Sequence, residues 1–314
     1  MDEVEKYVQS FEYVLPEPRY EIRSSAFSYD GEVFVTSSGD NTYRVHTLTN
    51  PDRPSLLKST AYGSGLIKYT HHPHVVLTTF SNKNLLNSVG QLCFETKEFI
   101  HIFHGHTDEI LGIDQNNIDD TFISSGFDSR VLQWDTRCPD LPNSDVFFTG
   151  FKPIVSFSND GTSIFVVLGN TLNVFDRRRL SLQQTSFFNL PHNESAYMKI
   201  AVAIDGNSVA VSDTKGKVSL ITNMSTPQNI VTKEIATNQL NDAPEIAFTP
   251  DSSRLLFSNG VDGSVCSMLL KTYAISQFSN SHEALVNSIV CNFKFPLVST
   301  SSSIVKWWTP QDTD

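Results

Sequence analysis

Gly105-His106, followed after fifteen residues by FISSGFDSRVLQWDTR (Phe122–Arg137), is the stretch from which this 314-residue chain is best read. A β-branched and aromatic run, FISS, leads into a polar turn at Asp128, and a second alternating run, RVLQWD, leads out of it. Two such runs across a tight polar turn predict an antiparallel hairpin. His106, Ser124, Asp128 and Trp134 stand at separations that permit one hydrogen-bonded chain. The turn carboxylate accepts from backbone amides and from the imidazole, the imidazole meets the hydroxyl, and the hydroxyl accepts from the indole N–H. Such a chain can be buried because every polar group in it has a partner. A His, Ser, Asp set can also suggest hydrolase chemistry, but the Trp donor and the repeat around it favour a structural lock.

Outward from this unit, pairs of polar turns about ten residues apart recur along the whole chain. The first turns are Asp30-Gly31, His72-Pro73, Asp119-Asp120, Asp160-Gly161, Asp205-Gly206, Asp251-Ser252 and Lys294-Phe295. The second turns centre on Asp40, Asn84, Asp128, Asn170, Lys215, Asp262 and Ser302, spaced 44, 44, 42, 45, 47 and 40 residues apart. Strand-like runs lie between them, among them EVFVTSS, HVVLTTF, SIFVVLG and RLLFSNG. Others follow them, among them TYRVHTL, TLNVFDR, KVSLITN and IVKWWTP. No stretch sustains a helical apolar period, and MDEVEKYV is the one short candidate. Seven units of this length with four strands each predict an all-β, seven-bladed WD-repeat β-propeller. The whole of 1–314 reads as that single propeller, with 1–17 an N-terminal extension and 311–314 a short tail. An open ring would leave sheet edges exposed, so SFEYV (Ser10–Val14) is expected to supply the outer strand of the last blade. Only Trp134-Asp135 spells the WD dipeptide. Thr36, Asp40 and His46 keep the lock's spacing with His in place of Trp, and Trp308 stands six after Ser302, where Asp is expected.

Twenty-three basic against 34 acidic side chains give a net charge of −11, which argues against direct binding of nucleic acid as the main task. No apolar run approaches the roughly 20 residues of a membrane-spanning helix. The acidic start lacks the basic-then-apolar order of a secretion signal. Cys93, Cys138, Cys266 and Cys291 form no C-x-x-C pair and read as free thiols of a reducing compartment. There is no phosphate-cradling glycine motif, no G-x-S-x-G and no H-E-x-x-H, so no catalytic, cofactor-binding or metal residue is assigned and the chain reads as a non-enzyme. His101, His104 and His106, with the turn His71-His72-Pro73-His74, could suggest zinc. His106 is accounted for by the lock, and the others define no tetrahedral set.

YGSGLIKYTH (Tyr62–His71), Phe103–Arg137, GFKPIVSFSNDG (Gly150–Gly161), AFTPDSSRLLF (Ala247–Phe257) and NFKFPLVSTSSSIVKWWTP (Asn292–Pro310) fall in order in their units. On these stretches the chain, from about Ser24 to Pro310, resembles one WD-repeat family. This is the small propeller subunit shared by COMPASS-type histone lysine methyltransferases and by nuclear phosphatase or cleavage-and-polyadenylation assemblies. The resemblance implies a nuclear, chromatin-associated adaptor without catalysis. Its partner would be a large catalytic or scaffold subunit of a methyltransferase complex or of a type-one phosphatase complex in transcription termination. It also implies contact with the phosphorylated tail of RNA polymerase II, for which Arg177-Arg178-Arg179 is the one basic run able to clamp phosphate. Trp134, Asp135 and Arg137 also fit the W-D-x-R box of cullin-RING substrate receptors, which is the alternative function; a generic propeller scaffold is the third.

Overall fold

The computed structural model describes residues 7–311 except 18, 181–183, 192–194, 226–229, 238–241, 261–262 and 279–281. Each pair of polar turns closes a three-stranded antiparallel meander, and an outer strand completes it. Seven four-stranded sheets result among the described residues, with no α-helix and one 3-10 turn at Arg177–Arg179. The first blade runs through Ile22–Phe27, Val33–Ser38, Thr42–Thr47 and Asn50–Lys58. The next five span Ile67–His104, Ile110–Phe147, Ile154–Asn189, Tyr197–Ala236 and Ile246–Gln277. Innermost strands of neighbouring blades touch in order around the ring, and Ile22–Phe27 meets both Ile67–Tyr69 and Ser288–Cys291. The chain is thus a closed seven-bladed propeller. Asp262 and Met1–Lys6 lie outside the described residues, so the sixth blade's second turn and most of the helical candidate are not placed. Tyr7 and Val8, also in that candidate, are strand.

Closure uses the seventh blade. Its three strands Ser288–Cys291, Val298–Ser301 and Ile304–Pro310 pair in sequence, and Tyr7–Val14 adds antiparallel to Ile304–Pro310 from Tyr7↔Pro310 to Val14↔Ile304. The strand is longer than SFEYV and carries a bulge between Gln9 and Phe11, where the Ser10 hydroxyl donates to the Trp307 carbonyl at 3.2 Å. Tyr7 stacks on Phe278 of the sixth blade at 4.6 Å, so the closing strand also ties two blades together.

Cores form between blades, where the two faces of neighbouring sheets meet. Ile123 and Val131 of the third blade pack with Val155, Phe157, Ile164, Val166 and Phe175 of the fourth, all buried. Each such side chain contributes roughly 1.5 to 3 kcal/mol. Outer strands face solvent and are polar and irregular, which is why the sequence pattern passes over them. Asn50–Lys58 holds Pro51 and Pro54, tolerated on an edge strand whose outward amides need no ladder partner. The third strand of the second blade, Ser88–Cys93, also escapes the pattern because Gly90 interrupts its apolar run. A Cβ there would lie 2.6 Å from the Phe80 ring and 2.7 Å from Phe99.

The first turns repeat a single device. Ser28 donates to Asp30 at 2.5 Å, Ser158 to Asp160 at 2.5 Å and Thr249 to Asp251 at 2.6 Å, while the same carboxylates accept an amide two residues on. These hydroxyl donors hold the Asp30 and Asp160 carboxyls below the usual range. Gly31 and Gly161 take φ of +77° and +64°, and each also touches a buried Asn of the preceding blade. Asn292 Nδ2 donates to the Gly31 carbonyl at 2.8 Å, and a Cβ on Gly161 would run into Asn116 Oδ1. Gly206 has a similar φ of +65° and nothing within 4 Å. Gly206→Ala is therefore expected to cost about 1 kcal/mol, for the backbone alone. Gly161→Ala and Gly31→Ala should cost at least about 1 kcal/mol more, because the Asn must also give way. Urea midpoints of the three variants measure this, and equal midpoints would remove the blade-to-blade contact from the account.

Candidate functional site

In the third blade, Asp128 sits in the turn between the second and third strands and accepts the amides of Thr107 and Arg130 at 2.9 and 3.2 Å. An ionised carboxylate only accepts, so His106 Nδ1–H donates to it, 3.0 Å from both oxygens. His106 Nε2 is then left to accept the Ser124 hydroxyl at 2.8 Å, and Trp134 Nε1–H donates to the Ser124 oxygen at 2.9 Å. Desolvation holds the His106 imidazole below its ordinary pKa against the pull of Asp128. Close approach explains both glycines of the unit. A Cβ on Gly105 would meet the Trp134 ring at 2.8 Å, and one on Gly126 would meet Asp128 at 2.8 Å and His106 at 2.9 Å.

A second chain of the same kind, built on a residue that the sequence pattern does not single out, lies in the seventh blade. Trp308 Nε1–H donates to Thr300 Oγ1 at 2.8 Å, the Thr300 hydroxyl meets His282 Nε2 at 2.7 Å, and His282 Nδ1–H meets Ser302 at 2.9 Å. Ser302 stands where Asp128 stands in the third blade. A signal is present: His282 precedes Thr300 by eighteen residues, as His106 precedes Ser124. The hairpin is two residues shorter and Gly is replaced before the His, so the motif as spelled does not match. With no hydrogen-bonded carboxylate among the described residues, and with Lys306 nearby, burial pushes the His282 pKa down from 6.5 to about 4.

The first blade builds no such chain. Asp40 is taken by Arg44, at 2.5 Å, and by Ser38, while His46 Nδ1 bonds the Pro51 carbonyl at 2.8 Å. Thr36 Oγ1 and His46 Nε2 are buried without a hydrogen-bond partner among the described residues. Spacing alone does not bring those three side chains together.

The W-D-x-R side chains point in different directions. Trp134 is fully buried, whereas Arg137 is exposed and folds back on Asp135 through Nε at 2.9 Å and Nη2 at 2.7 Å. The basic run is divided too. Arg177 pairs with Asp119 of the neighbouring blade, and Arg178 and Arg179 are exposed. His71 lies 3.4 Å from Asp120, His74 lies 3.3 Å from Glu95, and His104 meets Ser88 at 2.8 Å, so the histidines serve separate contacts.

A cavity of about 510 Å³ opens at one mouth of the ring, where innermost strands of the first, fifth, sixth and seventh blades begin. Four of its charged groups, Lys199, Glu245, Glu21 and Arg23, already have partners. Lys199 lies 2.6 Å from Glu245, Asn287 donates to Glu21 at 3.0 Å, and Arg23 donates to the Ser64 carbonyl at 2.7 Å. The Glu245 carboxylate holds the Lys199 ammonium above its ordinary pKa. The arrangement is a closed disc with a polar mouth.

Trp134→Phe and Trp308→Phe each leave a hydroxyl short of a donor and are expected to lower stability by about 1 to 3 kcal/mol. Their effects should add in the double variant, since the blades do not share partners; unchanged melting of either would refute the chain in that blade. On the acid side, both folded and unfolded states hold His282 neutral above pH 6.5. Between pH 6.5 and about 4 the unfolded chain takes up a proton that the folded chain refuses, so stability falls by about 3 kcal/mol across that window. Ser302→Asp should raise the His282 pKa and flatten that loss. Denaturation midpoints at pH 7 and 4.5 check this, and equal acid losses in both chains would contradict it.

A family model for the WD domain, G-beta repeat, matches residues 9–47 and 97–135. The chain is 22% identical over 313 residues to WD repeat-containing protein 82 of Drosophila melanogaster, covering 98% of this chain and 96% of the relative. It is 23% identical over 307 residues to COMPASS component SWD2 of Saccharomyces cerevisiae, covering 91% and 90%. Set1 complex component swd2 of Schizosaccharomyces pombe matches at 29% over 119 residues, 38% of this chain and 33% of the relative. The chain is a seven-bladed β-propeller with WD repeats at those residues, and it is similar along nearly its whole length to WD repeat-containing protein 82 and COMPASS component SWD2.

Proposed function

We propose that this chain is a non-catalytic scaffold subunit of a nuclear, COMPASS-type histone lysine methyltransferase complex. The observation that carries the reading is the likeness to WD repeat-containing protein 82 and COMPASS component SWD2, which runs through nearly the full length of all three chains. The geometry suits the role: a closed disc with buried locks offers two faces of short, rigid turns to partner segments. The ligase alternative has only the WDTR box behind it, and there Trp134 is buried and Arg137 is clasped by Asp135.

Service in a type-one phosphatase complex and contact with the phosphorylated polymerase tail are finer branches of the same proposal. With Arg177 taken by Asp119, a phosphate clamp would have to use the exposed Arg178 and Arg179. Mass spectrometry of proteins co-purifying with the endogenously tagged chain from nuclear extract tests the proposal. A SET-domain methyltransferase is the expected partner, and a type-one phosphatase with its scaffold would add the second branch. A cullin and its adaptor, with neither of those present, would overturn it.

A further inference from the structure

The first turn of the seventh blade differs from the other six in carrying two exposed phenylalanines around a lysine. Elsewhere this turn carries Asp-Gly, Asp-Ser, Asp-Asp or His-Pro, whereas here it reads Asn292-Phe-Lys-Phe-Pro-Leu297. The backbone does not ask for those aromatics. Asn292 does the work that Asp does in other turns: its side-chain oxygen accepts the amides of Lys294 and Phe295 at 2.9 and 3.1 Å, its amide nitrogen donates to Gly31, and its main chain bonds Leu297 at 2.8 Å. Phe293 and Phe295 are left 59% and 43% exposed on a turn that is firmly held. Exposed apolar side chains gathered into one patch mark interaction surfaces, whereas scattered single ones are ordinary.

These residues form one wall of a cleft of about 300 Å³ between the sixth and seventh blades, on the face opposite the 510 Å³ mouth. Pro250, Pro296 and Pro310 extend its apolar lining. The charged residues of its lining are Asp251, Arg254 and Lys294, one anion against two cations. The Asp251 carboxylate is occupied by the Thr249 hydroxyl at 2.6 Å and the Ser253 amide at 3.1 Å. Lys294 is exposed and has no carboxylate partner among the described residues; its ammonium lies 5.9 Å from the ring of Tyr29, itself 53% exposed. In a chain of net charge −11, this rim presents an exposed cation, in no ion pair among the described residues, beside an apolar trough.

We infer that this cleft docks a short protein segment in which an aromatic or aliphatic side chain stands next to a carboxylate, the first filling the trough and the second meeting Lys294. The inference stands on this surface alone and does not require that the complex be the one proposed above. A failed purification of a methyltransferase would leave it untouched.

The test is fluorescence anisotropy of the full chain with three labelled peptides: GSEFDLESG, its basic counterpart GSKFKLKSG, and GSEADAESG, which lacks the anchors. The acidic peptide with anchors should bind most tightly, by about tenfold over each of the others. Phe293→Ala with Phe295→Ala should weaken it about tenfold, and Lys294→Glu should reverse the preference between acidic and basic peptides. Lys294→Glu alters only an exposed side chain, so it keeps the test standing if the double replacement disturbs the turn. No binding of the acidic peptide at about 1 mM, or binding indifferent to these replacements, would overturn the inference. So would a dimer in sedimentation that the double replacement dissolves, which would assign the patch to a second copy of the chain.

Discussion

The pairing of Tyr7–Val14 with Ile304–Pro310 is the constraint on which the rest of the molecule depends. Every other blade is made from consecutive strands, and each could form locally as the chain emerges. The seventh alone must recruit a strand from nearly three hundred residues away, and only then do the first and seventh blades become neighbours. Closure removes the open edge that Ile304–Pro310 would otherwise present. It also places Tyr7 on Phe278 and Lys306 within 3.6 Å of Glu12. The inner ring of strands, the polar mouth at Lys199 and Glu245, and the cleft beside Phe293 all need that circle to be shut.

Within the circle, adjacent blades hold register by side chains that reach from one to the next. Asn292 and Asn116 reach into first turns of following blades, and Asp114 accepts the Phe157 amide at 2.8 Å while pairing with Lys68 of the blade before at 3.0 Å. These contacts cost little to make, because the groups are short and the backbone that presents them is already fixed by its sheet. Two blades add a buried His–hydroxyl–Trp chain. One ends on a carboxylate and the other on a hydroxyl; burial lowers the pKa of both imidazoles, Asp128 opposes it at His106 and Lys306 adds to it at His282.

Reading the sequence for turns works because turn chemistry is local. Asp30-Gly31, Asp160-Gly161 and Asp205-Gly206 place their hydrogen bonds and positive φ within five residues, so spacing alone locates the hairpins and the number of blades. Strands that face solvent leave no such mark. Asn50–Lys58 looks like a loop because its fitness as an edge lies in what it does not bury. The buried chains sit between these extremes. Asp128 and Trp134 are legible as a motif, while His282 is hidden by a shortened hairpin and a lost glycine, and only the eighteen-residue interval to Thr300 survives. In the first blade the converse holds, since Thr36, Asp40 and His46 keep the interval but Arg44 takes the carboxylate. An interval specifies where side chains can meet; the competitor nearest the acceptor decides whether they do.

The measurement that bears most directly on this account is chemical unfolding of a chain beginning at Leu15 beside the full chain, followed by tryptophan fluorescence. Trp307 and Trp308 report on the strand that would lose its partner, and Trp134 on a blade far from it. The account predicts a lowered midpoint for both signals and loss of the single shared transition, because the ring opens and its blades uncouple. A truncated chain that unfolds at the same midpoint and with the same sharpness as the full one would contradict it.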